Sequence, residues 1–384
     1  MSVTAAKGFL AAGVTAGIKA SGKKDLALVV NKGPDFNAAA VFTSNRFPAA
    51  PVQWSRKIVA GGEVMAVLLN SGGANACTGA AGYADTEQSA HWVAEQIGVS
   101  PEQVAICSTG LIGERLPMSN IASGIATVVA ELDSDGGSNA AQAIMTTDTV
   151  PKMAQWKDPA GWSVGGMAKG AGMLAPGLAT MLATITTDAR VGLEVLNRAL
   201  RTATSLTFDR ADSDGCMSTN DTVILLANGA SGIAPAEADF ANRLAQVCRS
   251  LARQLIGDAE GAAHDVEVRV TGAASEADAL EVAREVARSN LFKCAIFGND
   301  PNWGRVLSAV GVTQAVFDSD KVSVLFNGTP VFKDGQLGEN RSQVSLDGRE
   351  VVVEIQLAAG TSAASIWTND LTYGYVKENA EYST

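Results

Sequence analysis

The sequence predicts a mixed α/β protein, and three observations carry that reading. Apolar residues make up 47% of the chain and aromatic residues only 5%, so the core must be built from small and branched aliphatics. Short continuous apolar runs, such as 63–70 and 180–185, read as buried strands. Between such runs lie amphipathic stretches of helical period, notably 85–97, 192–204 and 237–256. At 384 residues the chain is long enough for one large core or two domains, and no internal repeat or linker stands out.

Taken in order, the glycine-punctuated opening is β-like, and 26–30 and 38–43 are short strands. The strand 63–70 ends in the turn Asn70-Ser-Gly-Gly-Ala-Asn75. Helix 85–97 follows, with Trp92, Val93 and Ile97 inward and His91 on its flank. The strand 104–107 comes next, and Ser108-Thr109-Gly110 turns off its end. After a polar turn, 139–145 is helical and leads into the hydroxyl-rich Thr146-Thr147-Asp148-Thr149, which by itself is a plain edge strand. A hairpin-like lead spans 156–166. Beyond 188 the expected order is helix 192–204, acidic loop 208–215, strand 222–227, helix 237–256, the turn 257–262 and strand 265–270. Helix 277–288, a buried strand 292–297 and a dense turn 298–305 come after it. Strands 321–326, 331–332 and 351–357 follow, with a last strand near 373–376.

The net charge of −11 argues against a nucleic-acid or anionic-membrane surface, since both need clustered Lys and Arg. Five scattered cysteines without Cys-x-x-Cys spacing argue against a disulfide framework or a zinc site and for a reducing, cytoplasmic compartment. With only two histidines, a His-rich metal centre or a Ser-His-Asp triad has few candidates, and no metal or cofactor is expected. The acidic loop 208–215 lacks the alternate-oxygen register of a calcium loop. The apolar stretch 9–18 is broken by Gly13 and Gly17, so it reads as neither signal peptide nor membrane span.

The stretch 169–188 organises the rest. Gly170, Gly172, Pro176 and Gly177 break regular structure, and β-branched and apolar residues take over at Thr180. Thr180, Leu182 and Thr184 would share one strand face. A threonine at such a junction is a candidate nucleophile if the chain is cut before it. Its hydroxyl can attack the Ala179 carbonyl, where Gly177 and Ala179 let the backbone bend, and water then opens the ester. Thr180 is left with a free α-amine, of pKa about 7.7–8 in model peptides, beside its own hydroxyl as a built-in general base. The plainer reading is a Gly-rich surface loop ahead of a core strand. A phosphate-binding loop is a weaker reading still, because no Gly-Lys-Ser/Thr follows the glycines and Lys169 precedes them.

Lys-Gly-Ala-Gly-Met-Leu-Ala-Pro, then Ala-Thr-Met-Leu-Ala and Thr-Thr-Asp-Ala, resembles the self-cleaving segment of the ornithine acetyltransferase family, the glutamate N-acetyltransferases of arginine biosynthesis. Five further segments resemble the family in order. They are the Asn70–Gly79 run, Ser108-Thr-Gly-Leu-Ile-Gly113 with Leu116-Pro117, Thr146–Thr149, Ser218–Thr222 and Gly298–Arg305. Two departures stand out. The family more often has Asn-Met at Gly177-Leu178 and Asp-Thr at Cys216-Met217.

The resemblance implies a four-layer αββα sandwich, like the N-terminal-nucleophile hydrolases but differently connected. It implies self-cleavage into an α chain, 1–179, and a β chain, 180–384, assembled as two α and two β chains. It implies Thr180 as nucleophile, Thr109 and Gly110 as oxyanion donors, and Thr147 (with Thr146 the near alternative), Lys169, Glu260, Asn379 and Thr384 as substrate contacts. Glu260 would meet the substrate's amino group. The implied reaction carries acetyl from N2-acetyl-L-ornithine to L-glutamate through an acetyl-threonine intermediate, with acetyl-CoA a second candidate donor. Two other classes remain: a self-cleaving amidase or aminopeptidase with water as acceptor, and an uncleaved binding protein. Cys107 is set aside as nucleophile, since no histidine or positive partner is apparent nearby.

Overall fold

The computed structural model describes residues 2–175 and 181–381. Its contacts divide the chain into two compact units, one of 1–209 and 216–255, the other of 210–215 and 256–383.

The first unit carries two sheets. One runs β1 (Phe9–Val14), β2 (Leu26–Asn31), β4 (Ala66–Gly73), β5 (Val104–Leu111), antiparallel except for the parallel β4–β5 pair. The other runs β3 (Asn37–Phe42), β9 (Thr222–Ala227), β8 (Leu182–Thr187), β7 (Ser163–Lys169), β6 (Lys152–Lys157), with β8–β9 its parallel pair. Every residue of β2, β8 and β9 is buried, which is why these strands read as continuous apolar runs instead of alternating ones. Met167, Leu182, Ile224 and Leu226 of the second sheet share one apolar cluster with Leu28, Val67 and Leu69 of the first.

Helices α1 (Ala50–Val59), α2 (Gly79–Ile97), α3 (Met118–Ala130) and α4 (Gly137–Ala143) pack against the first sheet. Against the second lie α5 (Leu193–Ser205), on β3 and β9, and α6 (Glu237–Gly257). Phe240 of α6 meets Trp162 beside β7, with ring centroids 6.1 Å apart. The first unit is therefore ordered helix, sheet, sheet, helix, as the resemblance implies.

The second unit holds a sheet in the order β13 (Gln336–Leu337), β12 (Thr329–Lys333), β11 (Ser323–Phe326), β14 (Glu350–Gln356), β10 (Asp265–Ala273), β15 (Ser362–Asn369). Val266, Val268 and Val270 are buried while Glu267 and Arg269 alternate with them, the pattern of a half-covered strand. Helix α7 (Glu276–Arg288) covers this face; α8 (Asn290–Phe297), α9 (Trp303–Val310) and α10 (Tyr373–Glu381) complete the unit.

Several expectations are corrected. Residues 292–297 form helix α8, not a strand. Ser289 caps it by accepting the Phe292 N–H at 3.4 Å, and Phe292 and Ile296, four apart, are both fully buried. A short apolar run satisfies either period, and here the cap decides. Residues 373–376 open helix α10, started by the Thr372 hydroxyl, which accepts the Tyr375 N–H at 3.0 Å. Thr109 and Gly110 lie within β5 instead of a turn after it, because β4 extends the pairing through Ser71 and Gly72. Thr146–Thr149 belongs to no strand, and α2 begins at Gly79, six residues before the expected start at 85. Helices α1, α3 and α9 and strand β15 were not anticipated.

Candidate active site

The parallel β4–β5 pair sets the first part of the site. Thr109 lies opposite Ser71 and Gly110 opposite Gly72. Gly110 has φ +128°, and a methyl group built there would fall 2.4 Å from the Gly72 carbonyl carbon. Only glycine fits both the dihedral and the contact. The surrounding turns are locked by amides. The Asn220 side chain donates to the Ala74 carbonyl at 2.6 Å and to the Ser108 carbonyl at 2.8 Å. Ser108 in turn donates to Asn70 Oδ1 at 2.6 Å. Three sequence segments far apart in the chain, 70–75, 108–110 and 218–222, thus form one rigid cluster.

Lys169 closes β7 and lies opposite Leu182 of β8. Its side chain is 2% exposed, and its Nζ donates to Thr109 Oγ1 at 3.3 Å. A hydroxyl that accepts from an ammonium must aim its own hydrogen elsewhere, so Thr109 keeps one donor to offer. A fixed Thr109 hydroxyl next to the Gly110 N–H is the kind of donor pair that can stabilise a developing oxyanion.

Asp148 organises the hydroxyl-rich segment, a role that sequence reasoning missed. One carboxylate oxygen accepts from Lys152 Nζ and from the Gly170 N–H, both at 2.6 Å. The other accepts the Thr146 N–H at 2.9 Å. Burial is the largest influence on this carboxyl and pushes it up, but the charges of Lys169 and Lys152 and the Gly170 bond outweigh burial and bring it down to about 2. The half-buried Thr147 is thereby held in the same cluster as Lys169. The signal available in sequence was an acid four residues before a lysine, in a segment read as a row of hydroxyls.

Ala179 and Thr180 lie outside the described residues. Met181, the next residue, donates its N–H to Asp221 Oδ1 at 3.1 Å, and its carbonyl accepts the Thr222 N–H at 3.1 Å. Asp221 is fully buried, and burial drives its carboxyl well above the usual range despite that hydrogen bond. Cys107, on the buried face of β5, is pushed up to about 12 by burial, so it holds no thiolate for attack.

In the second unit Glu260 sits in the turn after α6. Asn379 of α10 donates to Glu260 Oε2 at 3.0 Å, so these two expected contacts do meet. Thr384 lies outside the described residues. A cavity of about 150 Å³ is lined by Glu260, Lys293, Asp214, Asp370, Arg288 and Tyr375, among others. Lys293 is buried there and donates to the Ser213 carbonyl at 2.5 Å; burial lowers it to about 8, against the pull of Asp212, Asp214 and Asp370. His264 is committed to Asp370 at 2.8 Å and to the Leu346 carbonyl at 3.0 Å, a structural pairing. Among the described residues no cluster of His, Cys, Asp and Glu could hold a metal, and no helix is long and apolar enough to cross a membrane.

Comparison with known proteins agrees with the motifs along the whole chain. The arginine biosynthesis bifunctional protein ArgJ of Thermobifida fusca is 56% identical over 384 residues, covering all of both chains. The protein of that name from Streptomyces avermitilis is 59% identical over 385 residues, again over both full lengths. Among solved structures, ornithine acetyltransferase from Mycobacterium tuberculosis, complexed with ornithine, is 54% identical over 47% of this chain and 96% of that one, with a TM-score of 0.46. The ArgJ family model matches residues 10–384, and the chain belongs to the ArgJ family.

Proposed function

We propose that the protein is a glutamate N-acetyltransferase of arginine biosynthesis, moving acetyl from N2-acetyl-L-ornithine to L-glutamate by a ping-pong route. The observation that carries the reading is the buried Lys169–Thr109 contact beside Gly110, which joins the end of β7, the strand before Thr180, to the two residues proposed as oxyanion donors. Membership in the ArgJ family favours transfer to an amino acid over the amidase alternative.

In this mechanism the Thr180 hydroxyl first attacks the Ala179 carbonyl, and hydrolysis of the resulting ester frees the Thr180 amine. In turnover, Thr180 Oγ attacks the acetyl carbonyl while that amine takes the hydroxyl proton. Thr109 and Gly110 hold the tetrahedral oxyanion; removing one such donor typically costs about 10²–10³ in rate. The bond to the ornithine nitrogen breaks as the amine returns its proton to the leaving nitrogen. Glutamate's amine then attacks the acetyl-threonine ester, and the same donors serve again. Thr147, Lys169, Glu260, Asn379 and Thr384 are the proposed substrate contacts, with Glu260 countering the substrate's amino group. We assign the enzyme to the cytoplasm as an α2β2 assembly, with acetyl-CoA a second donor.

Intact mass under denaturing conditions, paired with an acetyltransfer assay, tests the proposal. The expected result is two fragments, of 179 and 384 − 179 = 205 residues, collapsing to one in Thr180→Ala. Formation of N-acetylglutamate should require glutamate and the cleaved protein. A single full-length species in active wild-type protein would overturn the nucleophile assignment. Release of acetate regardless of glutamate would favour the amidase.

A further inference from the structure

We infer that Lys19 is a second cationic contact for the substrate's α-carboxylate, acting beside Lys169; the inference rests on the acetyltransfer reading. Lys19 belongs to no expected site motif and leaves the chain between β1 and β2. Its Nζ donates to the Met145 carbonyl at 2.6 Å and to the Lys24 carbonyl at 2.9 Å. Met145 directly precedes the Thr146–Thr147 segment. The stem of the side chain runs over Gly72, where a built methyl group would fall 3.1 Å from Lys19 Cγ. Gly72 is the residue paired with Gly110. Lys19 therefore touches both the residue before Thr146 and the strand position beside Gly110.

Charge makes this placement informative. Both hydrogen-bond partners of the Lys19 ammonium are neutral carbonyls, and its third N–H has no partner among the described residues. Asp25 is the acid that pulls most strongly on Lys19, and its oxygens also hold backbone N–H groups. It accepts the Ala16 and Ile18 N–H groups at 2.6 Å each and the Lys19 N–H at 2.9 Å. Asp148 is likewise filled by Lys152, Gly170 and Thr146. The charged groups that act on Lys19 are Asp25, Lys169, Asp148 and Lys23. Lys19 thus sits among Asp25, Asp148, Lys23 and Lys169, beside the Thr146–Asp148 segment, with one ammonium N–H still open. A substrate anion completes such a site. N2-acetylornithine and glutamate share one anionic group, the α-carboxylate, so a contact serving both half-reactions is a contact to that group. Burial lowers Lys19 to about 8, against the pull of Asp25. Its charge, and the binding it supports, is full below that pH and is lost as pH rises through it.

The test compares wild type, Lys19→Met and Lys19→Arg by steady-state kinetics with both substrates from pH 7 to 9.5, with intact mass run in parallel. In Lys19→Met, KM for N2-acetylornithine and for glutamate should each rise roughly tenfold or more, the worth of a hydrogen bond between charged groups. kcat should change little and the two fragments should still form. In wild type, KM should climb above pH 8, whereas Lys19→Arg, which stays charged, should show no such climb. The methyl ester of N2-acetylornithine should lose less on going from wild type to Lys19→Met than the free acid does. Unchanged KM in Lys19→Met, a loss confined to kcat, or an effect on glutamate alone would overturn the inference. If Lys19→Met does not fold, a Lys19→Arg profile that follows wild type overturns it. Failure of wild type to transfer acetyl at all refutes the acetyltransfer reading instead.

Discussion

At the scale of single residues, the site depends on where charge is buried and what meets it. Asp148 and Lys152 form a pair with both side chains fully buried at 2.6 Å. Breaking such a pair costs about 3–5 kcal/mol, because the remaining ion stays buried without its partner. Asp148→Asn should therefore lose stability of that order in chemical denaturation at pH 7. The same carboxyl sets a pH dependence. Its folded value, about 2, lies below the unfolded value of about 3.9. Its contribution is therefore fully present above pH 4 and is lost as pH falls from 4 to 2. The gap between wild type and Asp148→Asn should narrow over that window, read from denaturation midpoints across pH. Asp221 runs the other way: a carboxyl raised by burial costs stability as pH climbs above the unfolded value. Neither role was legible in the sequence. A carboxylate's burial and partners are set by residues distant in the chain, and in sequence both acids sit inconspicuously within polar segments.

At the scale of elements, close backbone approaches position the groups that side-chain chemistry uses. Gly261 shows this most sharply in the second unit. Its φ is +61°, and a methyl group built there would lie 2.1 Å from the Tyr375 nitrogen. Helix α10 therefore rests directly on the turn that carries Glu260, and this holds Asn379 at Glu260. Gly261→Ala should displace α10 at a cost of about 1–3 kcal/mol in local strain. Hydrogen exchange over 373–381 should accelerate and KM for the amino-acid substrates should rise, while cleavage into two fragments is unaffected. Cleavage blocked by this variant would contradict the separation of roles. Element identity was misread where the apolar pattern was short. Residues 292–297 and 373–376 are helices because Ser289 and Thr372 cap them, and a cap signal is weaker in sequence than an apolar run. The long helices 193–205 and 237–257 were legible because periodicity accumulates with length.

At the scale of the whole molecule, the proposed cut would fall between β7 and β8, which are adjacent antiparallel strands paired from Val164–Thr187 to Lys169–Leu182. The bonds that join the two halves are thus the interior ladder of a buried sheet, and β3 before the cut also pairs with β9 after it. Cleavage should leave the fragments associated. They should co-elute in size exclusion under native conditions and separate only in denaturant. Native mass should then report the proposed α2β2 assembly, and dissociation of the fragments after simple dilution would refute this account.

The sequence by itself determined the mixed α/β class and the family, and it named the proposed reacting groups, because these are written in contiguous motifs that do not depend on distant residues. The tertiary structure alone decided that Lys169 reaches Thr109, sixty residues away, that Asp148 is the anchor of its segment, and that Lys19 leans over Gly72. Those contacts depend on the register of β4 on β5 and of β7 on β8. Register is set by burial summed over whole strands, a quantity that no local stretch of sequence contains.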